Sequence, residues 1–176
     1  MTLSRRALLG AGASLPLAGC GFRPVYMPSA DAEPGVAQRE LAAIYVAIIP
    51  DRPGQVLRQA LQQRLEGTGA DPKPTYTLDV SYWISGEGIA IQPDTSTTRI
   101  RLFGNANWRL VGRDPGQTLI TSGYARAEDA VNIIDTQYFS ATLQTEAADR
   151  YLAEALASQI TMRLAIFFRN KAGAGG

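Results

Sequence analysis

The chain lacks histidine altogether and carries one cysteine, Cys20, among its 176 residues. Without His there is no Ser/His or Cys/His nucleophile pair, no imidazole general base and no His-ligated metal, which removes much of ordinary hydrolase chemistry. One Cys closes no intrachain disulfide and builds no thiolate cluster. An excess of charge of one sign is missing too, since 17 Lys+Arg stand against 16 Asp+Glu. A nucleic-acid binder usually shows its basic face in that sum, so no nucleic-acid partner is expected. Present instead is the balance of a folded core, 45% hydrophobic and 19% charged, at a length that suits one domain. Nothing in this inventory implies a metal or cofactor.

Long hydrophobic runs are also absent. Ala7 to Gly19 is a stretch of thirteen uncharged residues behind Arg5 and Arg6, too short for a bilayer core, which needs ~20 apolar residues. It suits the apolar region of a signal peptide. The stretch ends Leu17-Ala18-Gly19-Cys20, which resembles the bacterial lipobox, where a Cys is diacylated, exposed by signal peptidase II and acylated on its new amine. Residues 1–19 are therefore expected to be a lipoprotein signal peptide and Cys20 the lipid attachment point. The bland alternative is a core Cys behind an ordinary signal peptide. Acyl chains contribute about 0.8 kcal/mol per buried CH₂, and two or three together hold a protein on a membrane. Ser4-Arg5-Arg6-Ala7-Leu8-Leu9 also resembles a twin-arginine export signal, so the export route stays open. Gly21 follows the Cys where an Asp resembling the inner-membrane retention signal is absent, and the expected destination is the outer membrane with the body in the periplasm. Loss of residues 1–19 leaves 15 basic and 16 acidic side chains, and of those basic residues only Lys73 and Lys171 are lysines.

In the mature chain, residues 20–40 hold Pro24, Pro28, Pro34 and Gly35 without periodicity and are expected to be the lipidated Cys and an extended tether. Ile44 to Ile49, stopped by Pro50, reads as a first strand. Asp51 to Gly54 reads as a turn, and Leu57, Ala60, Leu61 and Leu65 then give a helix. From Thr75 the period becomes two, with Tyr76, Leu78, Val80, Tyr82 and Ile84 on one face. It slips at Gly86-Glu87-Gly88, as a β-bulge would make it do; a phosphate-binding glycine loop is the rival, and no helix start follows. Pro93 to Ser96 is a turn. The next strand runs from Thr98 to Val111, and Asp114-Pro115-Gly116 leads into another from Thr118 to Ala127. Helical period returns from Thr142 to Phe168, with Leu152, Leu156, Ile160 and Leu164 as a core stripe. The tail 171–176 is expected to be disordered. The order β-α-β-β-β-α predicts an α+β domain over 41–170, a mixed four-stranded sheet with two helices packed on one face.

The lipobox Cys followed by Gly21-Phe22-Arg23-Pro24-Val25-Tyr26, this order of elements, and the closing segment Leu156-Ala157-Ser158-Gln159-Ile160-Thr161-Met162-Arg163-Leu164 together resemble the LptE family of LPS-assembly lipoproteins, in its alphaproteobacterial form. That resemblance implies a lumen plug of the outer-membrane β-barrel LptD, one that assists barrel assembly and insertion of lipopolysaccharide into the outer leaflet, with LPS itself as a ligand. Basic residues linked to LPS binding near the end of the family's second and third strands have no match here, where the hairpin reads Gln92-Pro93-Asp94-Thr95.

Strand parity supplies another set of basic residues. If Ile100, Leu102, Ala106, Trp108 and Leu110 face the helices, Arg99, Arg101, Asn105, Asn107 and Arg109 face away, and Arg126 beside Tyr124 and Ile120 joins them if the next strand matches. Arg binds phosphate bidentately, so these arginines are candidates for contact with lipid A phosphates or the polar wall of a barrel. The bland reading is a solvated face balanced by Asp79, Glu87 and Glu128. Two other functions compete: an auxiliary lipoprotein of another envelope complex, such as a lipid transporter or secretin, and a carboxylate-based periplasmic glycan hydrolase drawing on Glu87, Asp94, Glu128 or Asp129, acids whose spacing singles out no pair.

Overall fold

In a computed structural model of the chain, the described residues are 35–66, 73–91, 97–132 and 138–174. The lipobox, Cys20, the turn at Pro93 to Ser96 and the polar stretch around Asp135 lie outside them. The elements run α1 (Val36–Ala42), β1 (Ile44–Val46), α2 (Arg52–Leu65), β2 (Tyr76–Ile91), β3 (Thr97–Gly112), β4 (Leu119–Asn132) and α3 (Tyr138–Ala174). The strands form one sheet in the order β1-β2-β3-β4. β1 and β2 are parallel, and the rest are antiparallel. Parallel neighbours need a crossover, which α2 supplies, whereas the short turn at Asp114-Pro115-Gly116 suffices between β3 and β4.

The expected α+β sheet is therefore present, with β1 ending at Val46 short of the expected Ile49, β4 running on past Ala127 to Asn132, and three further differences in the helices. First, there is a third helix: Val36 to Glu40, expected in the tether, open α1, which buries Ala37 and Leu41. Seven residues are two turns, too few to display a helical period beside Pro34 and Gly35. Second, α2 starts inside the expected turn. Asp51, at φ 64°, stands at its N-cap, and Pro53 fits the first turn, where its missing N–H costs nothing. Gly54 is buried, and a Cβ there would come within 2.8 Å of Ile49 Cγ2. Third, α3 continues through Ala172, Gly173 and Ala174, residues expected in a disordered tail. The register shift of β2 also falls between Gly88 and Ile91, slightly beyond the glycine cluster.

The core lies between the sheet and the helices. Leu152, Leu156, Ile160 and Leu164 of α3 are fully buried, as are Leu57 and Leu61 of α2 and Leu78 and Leu110 of the sheet. Small residues let α3 settle close. A Cβ on Gly104 would stand 3.2 Å from Leu156 Cδ1 and 3.3 Å from Leu152 Cβ, and Ala106 pairs with Ala125 beside it. The Trp108 indole lies over Gly123, where a Cβ would be 2.6 Å from its Cζ2. Arg52 and Glu146 tie α2 to α3 at the surface, 3.1 Å apart.

Candidate functional site: the uncovered face of the sheet

Alternation along each strand fixes which side chains meet the helices and which do not. On β3 the residues facing away are Arg99, Arg101, Phe103, Asn105, Asn107 and Arg109. Register places Asp79, Ser81, Trp83, Ser85 and Glu87 of β2 on one side of that row. On the other side stand Ser122, Tyr124, Arg126 and Glu128 of β4. The parity condition for Arg126 is met: it pairs with Asn105, and Tyr124 with Asn107. Ile120 departs from them, because the register shifts between Leu110 and Val111 and Ile120 packs against the core.

The four arginines share a face and form a row, not a cluster. Arg101 and Arg109 are eight residues apart on one strand, about 26 Å at standard strand rise. Arg109 Nε lies 3.5 Å from Asp79 Oδ2 across the strands. Arg126 stacks its guanidinium 4.1 Å from the centre of the Phe103 ring. Among the described residues neither Arg99 nor Arg101 has an ion-pair partner, and both are exposed.

Midway along the row, Asn105 organises the face. It is only 7% exposed although it points away from the helices. The Tyr124 hydroxyl donates to its Oδ1 at 2.6 Å, and its Nδ2 donates to the Phe103 carbonyl at 3.1 Å and to Ser85 Oγ at 3.4 Å. Toward β1 the face forms an open depression of about 740 Å³ between Ile48 and Tyr124, floored by Asp79, Asn107, Arg109 and Ser122. Ile48 is 74% exposed and walls the depression. Sequence parity puts Tyr124 on this side with Arg126, but Asn105 as a hub and Ile48 as a wall carry no signal, since both depend on neighbours from other strands.

The candidate acids are not assembled into a site. Glu87 lies on β2 and Glu128 on β4 with β3 between them, Asp129 accepts the Ala130 N–H at 2.8 Å, and Asp94 is outside the described residues. Among the described residues no group of three His, Cys, Asp or Glu side chains is placed to hold a metal. No helix among them is long and apolar enough to cross a membrane.

A parallel-plus-antiparallel sheet with helices on one face and a polar, arginine-bearing face left open defines a small two-layer α+β fold. The chain belongs to the LptE family, described as lipopolysaccharide-assembly, which matches residues 41–164. Among solved structures it is similar to a protein of Caulobacter crescentus CB15 described as a lipoprotein (TM-score 0.62, 19% identity, 76% of this chain and 96% of that one). It is also similar to the rare lipoprotein B of Shewanella oneidensis (TM-score 0.53, 9% identity, 73% and 96%). A third likeness is to an uncharacterized lipoprotein B of Nitrosomonas europaea (TM-score 0.52, 12% identity, 70% and 81%). At these identities the likeness is one of fold. Among curated proteins none matches the chain significantly.

Proposed function

We propose that the chain is an outer-membrane lipoprotein, exported with residues 1–19 as its signal peptide and held by acyl chains on Cys20. In this reading it is not an enzyme. It seats in the lumen of an LptD-type β-barrel as a plug, assists assembly of that barrel and assists insertion of lipopolysaccharide into the outer leaflet. The observation that carries the reading is membership of the lipopolysaccharide-assembly family across residues 41–164. The uncovered sheet face adds chemical support. Among the described residues Arg99 and Arg101 present guanidinium groups without an ion-pair partner, a donor arrangement that suits lipid A phosphates or the polar wall of a barrel.

The test is a detergent pull-down of the tagged, full-length lipoprotein from native outer membranes. A stoichiometric β-barrel partner is the expected result. Recovery of a secretin or an inner-membrane lipid transporter in its place would sink the reading.

A further inference from the structure

Among the described residues, β2 runs on well past the short strand that pairs with it on one side. β1 contributes three residues and pairs only with Tyr76, Thr77 and Leu78. The last bond on that side runs from Ala47 N–H to the Leu78 carbonyl at 3.0 Å. β2 continues to Ile91. Because the N–H and C=O groups of alternate residues point the same way, those of Tyr82, Ile84 and Gly86 point to the side on which Leu78 meets β1. Among the described residues no strand pairs there and no side chain bonds to them.

The other borders of the sheet are treated differently. On β4, the outermost strand, Gln159 of α3 donates to the Arg126 carbonyl at 2.9 Å and Arg163 donates to the Tyr124 carbonyl. On β1, Arg58 of α2 donates to the Val46 carbonyl at 3.3 Å. Helix side chains thus cap both outer strands. Proteins blunt exposed edges with Lys, Pro or bulges. From Tyr76 to Ile91 there is no Lys and no Pro, and the register shift comes only beyond Gly88. Trp83, 44% exposed, stands beside the open stretch on the uncovered face, where it would meet a residue of an added strand.

We infer that Tyr82 to Gly86 is a strand-addition site, completed by an extended segment of the barrel partner; this rests on the partner reading above. A second copy of the chain fits less well. β2 carries two carboxylates, Asp79 and Glu87, and no cation, so two β2 edges in antiparallel register about Trp83 set Glu87 opposite the copy's Asp79. Like charges directly opposite destabilise a pair of strands. The fitting segment carries Lys or Arg where it passes Glu87 and an aromatic or β-branched residue beside Trp83, with main-chain bonds supplying affinity.

The test uses the full-length lipoprotein purified with its barrel and purified alone. Hydrogen exchange at the Tyr82, Ile84 and Gly86 amides is expected to slow about tenfold or more in the complex. Gly86→Pro, which deletes an edge donor, is expected to lower the yield of co-purified barrel severalfold against Gly86→Ala, which adds a Cβ and keeps the donor. If the barrel is recovered but these amides exchange equally fast in both samples, or if the two variants recover equal barrel, strand addition is wrong and the partner reading survives. Protection in the isolated protein that fades on dilution assigns the edge to a second copy and overturns the inference. If wild-type protein recovers no barrel, both fall. Should Gly86→Pro fail to fold, the wild-type exchange comparison decides alone.

Discussion

Along β3, Leu102, Ala106, Trp108 and Leu110 lie under the helices, while Arg101, Asn105, Asn107 and Arg109 on the same strand point away from them. On the covered side the main interactions are vertical, from helix to sheet, with Trp108 lying over Gly123 of the next strand as well. Leu156 sits on Gly104, and residues without side-chain bulk are spent to bring α3 close. On the uncovered side the interactions are lateral, from strand to strand: Arg109 to Asp79, Tyr124 to Asn105, Arg126 over Phe103. The covered face therefore carries the folding energy through apolar burial, and the uncovered face carries bonds that are individually small in water. A surface with little to do for stability is free to be specified by contact.

That division makes the largest expected effect a covered-face one. Leu156 is fully buried against Gly104, and Leu156→Ala should cost about 3–5 kcal/mol in urea denaturation, as transfer and cavity terms add. A cost near that of a surface change would break the comparison. Gly123→Val comes next. The Trp108 ring occupies the space its side chain needs, so overpacking should cost about 1–3 kcal/mol.

Asn105 tests the uncovered face at its most buried point. Asn105→Ala removes the acceptor of the Tyr124 hydroxyl and the donor to the Phe103 carbonyl. Tyr124 is 43% exposed and can turn to water, so the expected loss is about 1 kcal/mol. A loss as large as that of Leu156→Ala would mean that the lateral network, and not the core alone, holds the sheet.

How much of this was legible from the residues divides along the same line. The covered face follows from period, since Leu152, Leu156, Ile160 and Leu164 or Leu78 and Val80 need only their own element to be recognised. The arginine row followed from parity, one strand at a time. The Asn105 hub, the Ile48 wall and the bare edge of β2 did not follow, because each is made by residues distant in sequence whose register no local pattern specifies. α1 and the first turn of α2 were missed for another reason: Pro and Gly at 34–35 and 53–54 read as breakers, and tertiary packing of Leu41 and Gly54 overrode them.

Titration separates the faces again. Burial, then the hydrogen bond with Glu40, pushes the Tyr76 hydroxyl up to about 12, and burial, then the charge of Asp149, does the same for Tyr82. Both belong to the covered face. Below pH 10 each is neutral folded or unfolded, so its contribution is intact. Between pH 10 and about 12 the unfolded chain releases protons that the folded chain keeps, and stability should fall as pH rises through that window. Ultraviolet titration of tyrosinate alongside unfolding checks it. Tyr82→Phe should flatten part of the loss. It should also leave neutral-pH stability unchanged or raised by up to about 1 kcal/mol, since the Tyr82 hydroxyl is buried without a hydrogen-bond partner among the described residues.

The smallest expected effect on stability belongs to the arginines, and it is the one with the largest expected effect on function. Replacing Arg99, Arg101 and Arg109 together with Gln removes one cross-strand ion pair, between groups 68% and 38% exposed, and should shift unfolding by under about 1 kcal/mol. Guanidinium groups that do nothing measurable for the fold are kept for something outside it, or for nothing. Binding of the folded triple variant to LPS vesicles and its recovery of the barrel distinguish the two. Loss of either, with unfolding unchanged, assigns the row to contact. If both persist, the row is a solvated surface, and the division between the faces holds for stability without extending to function.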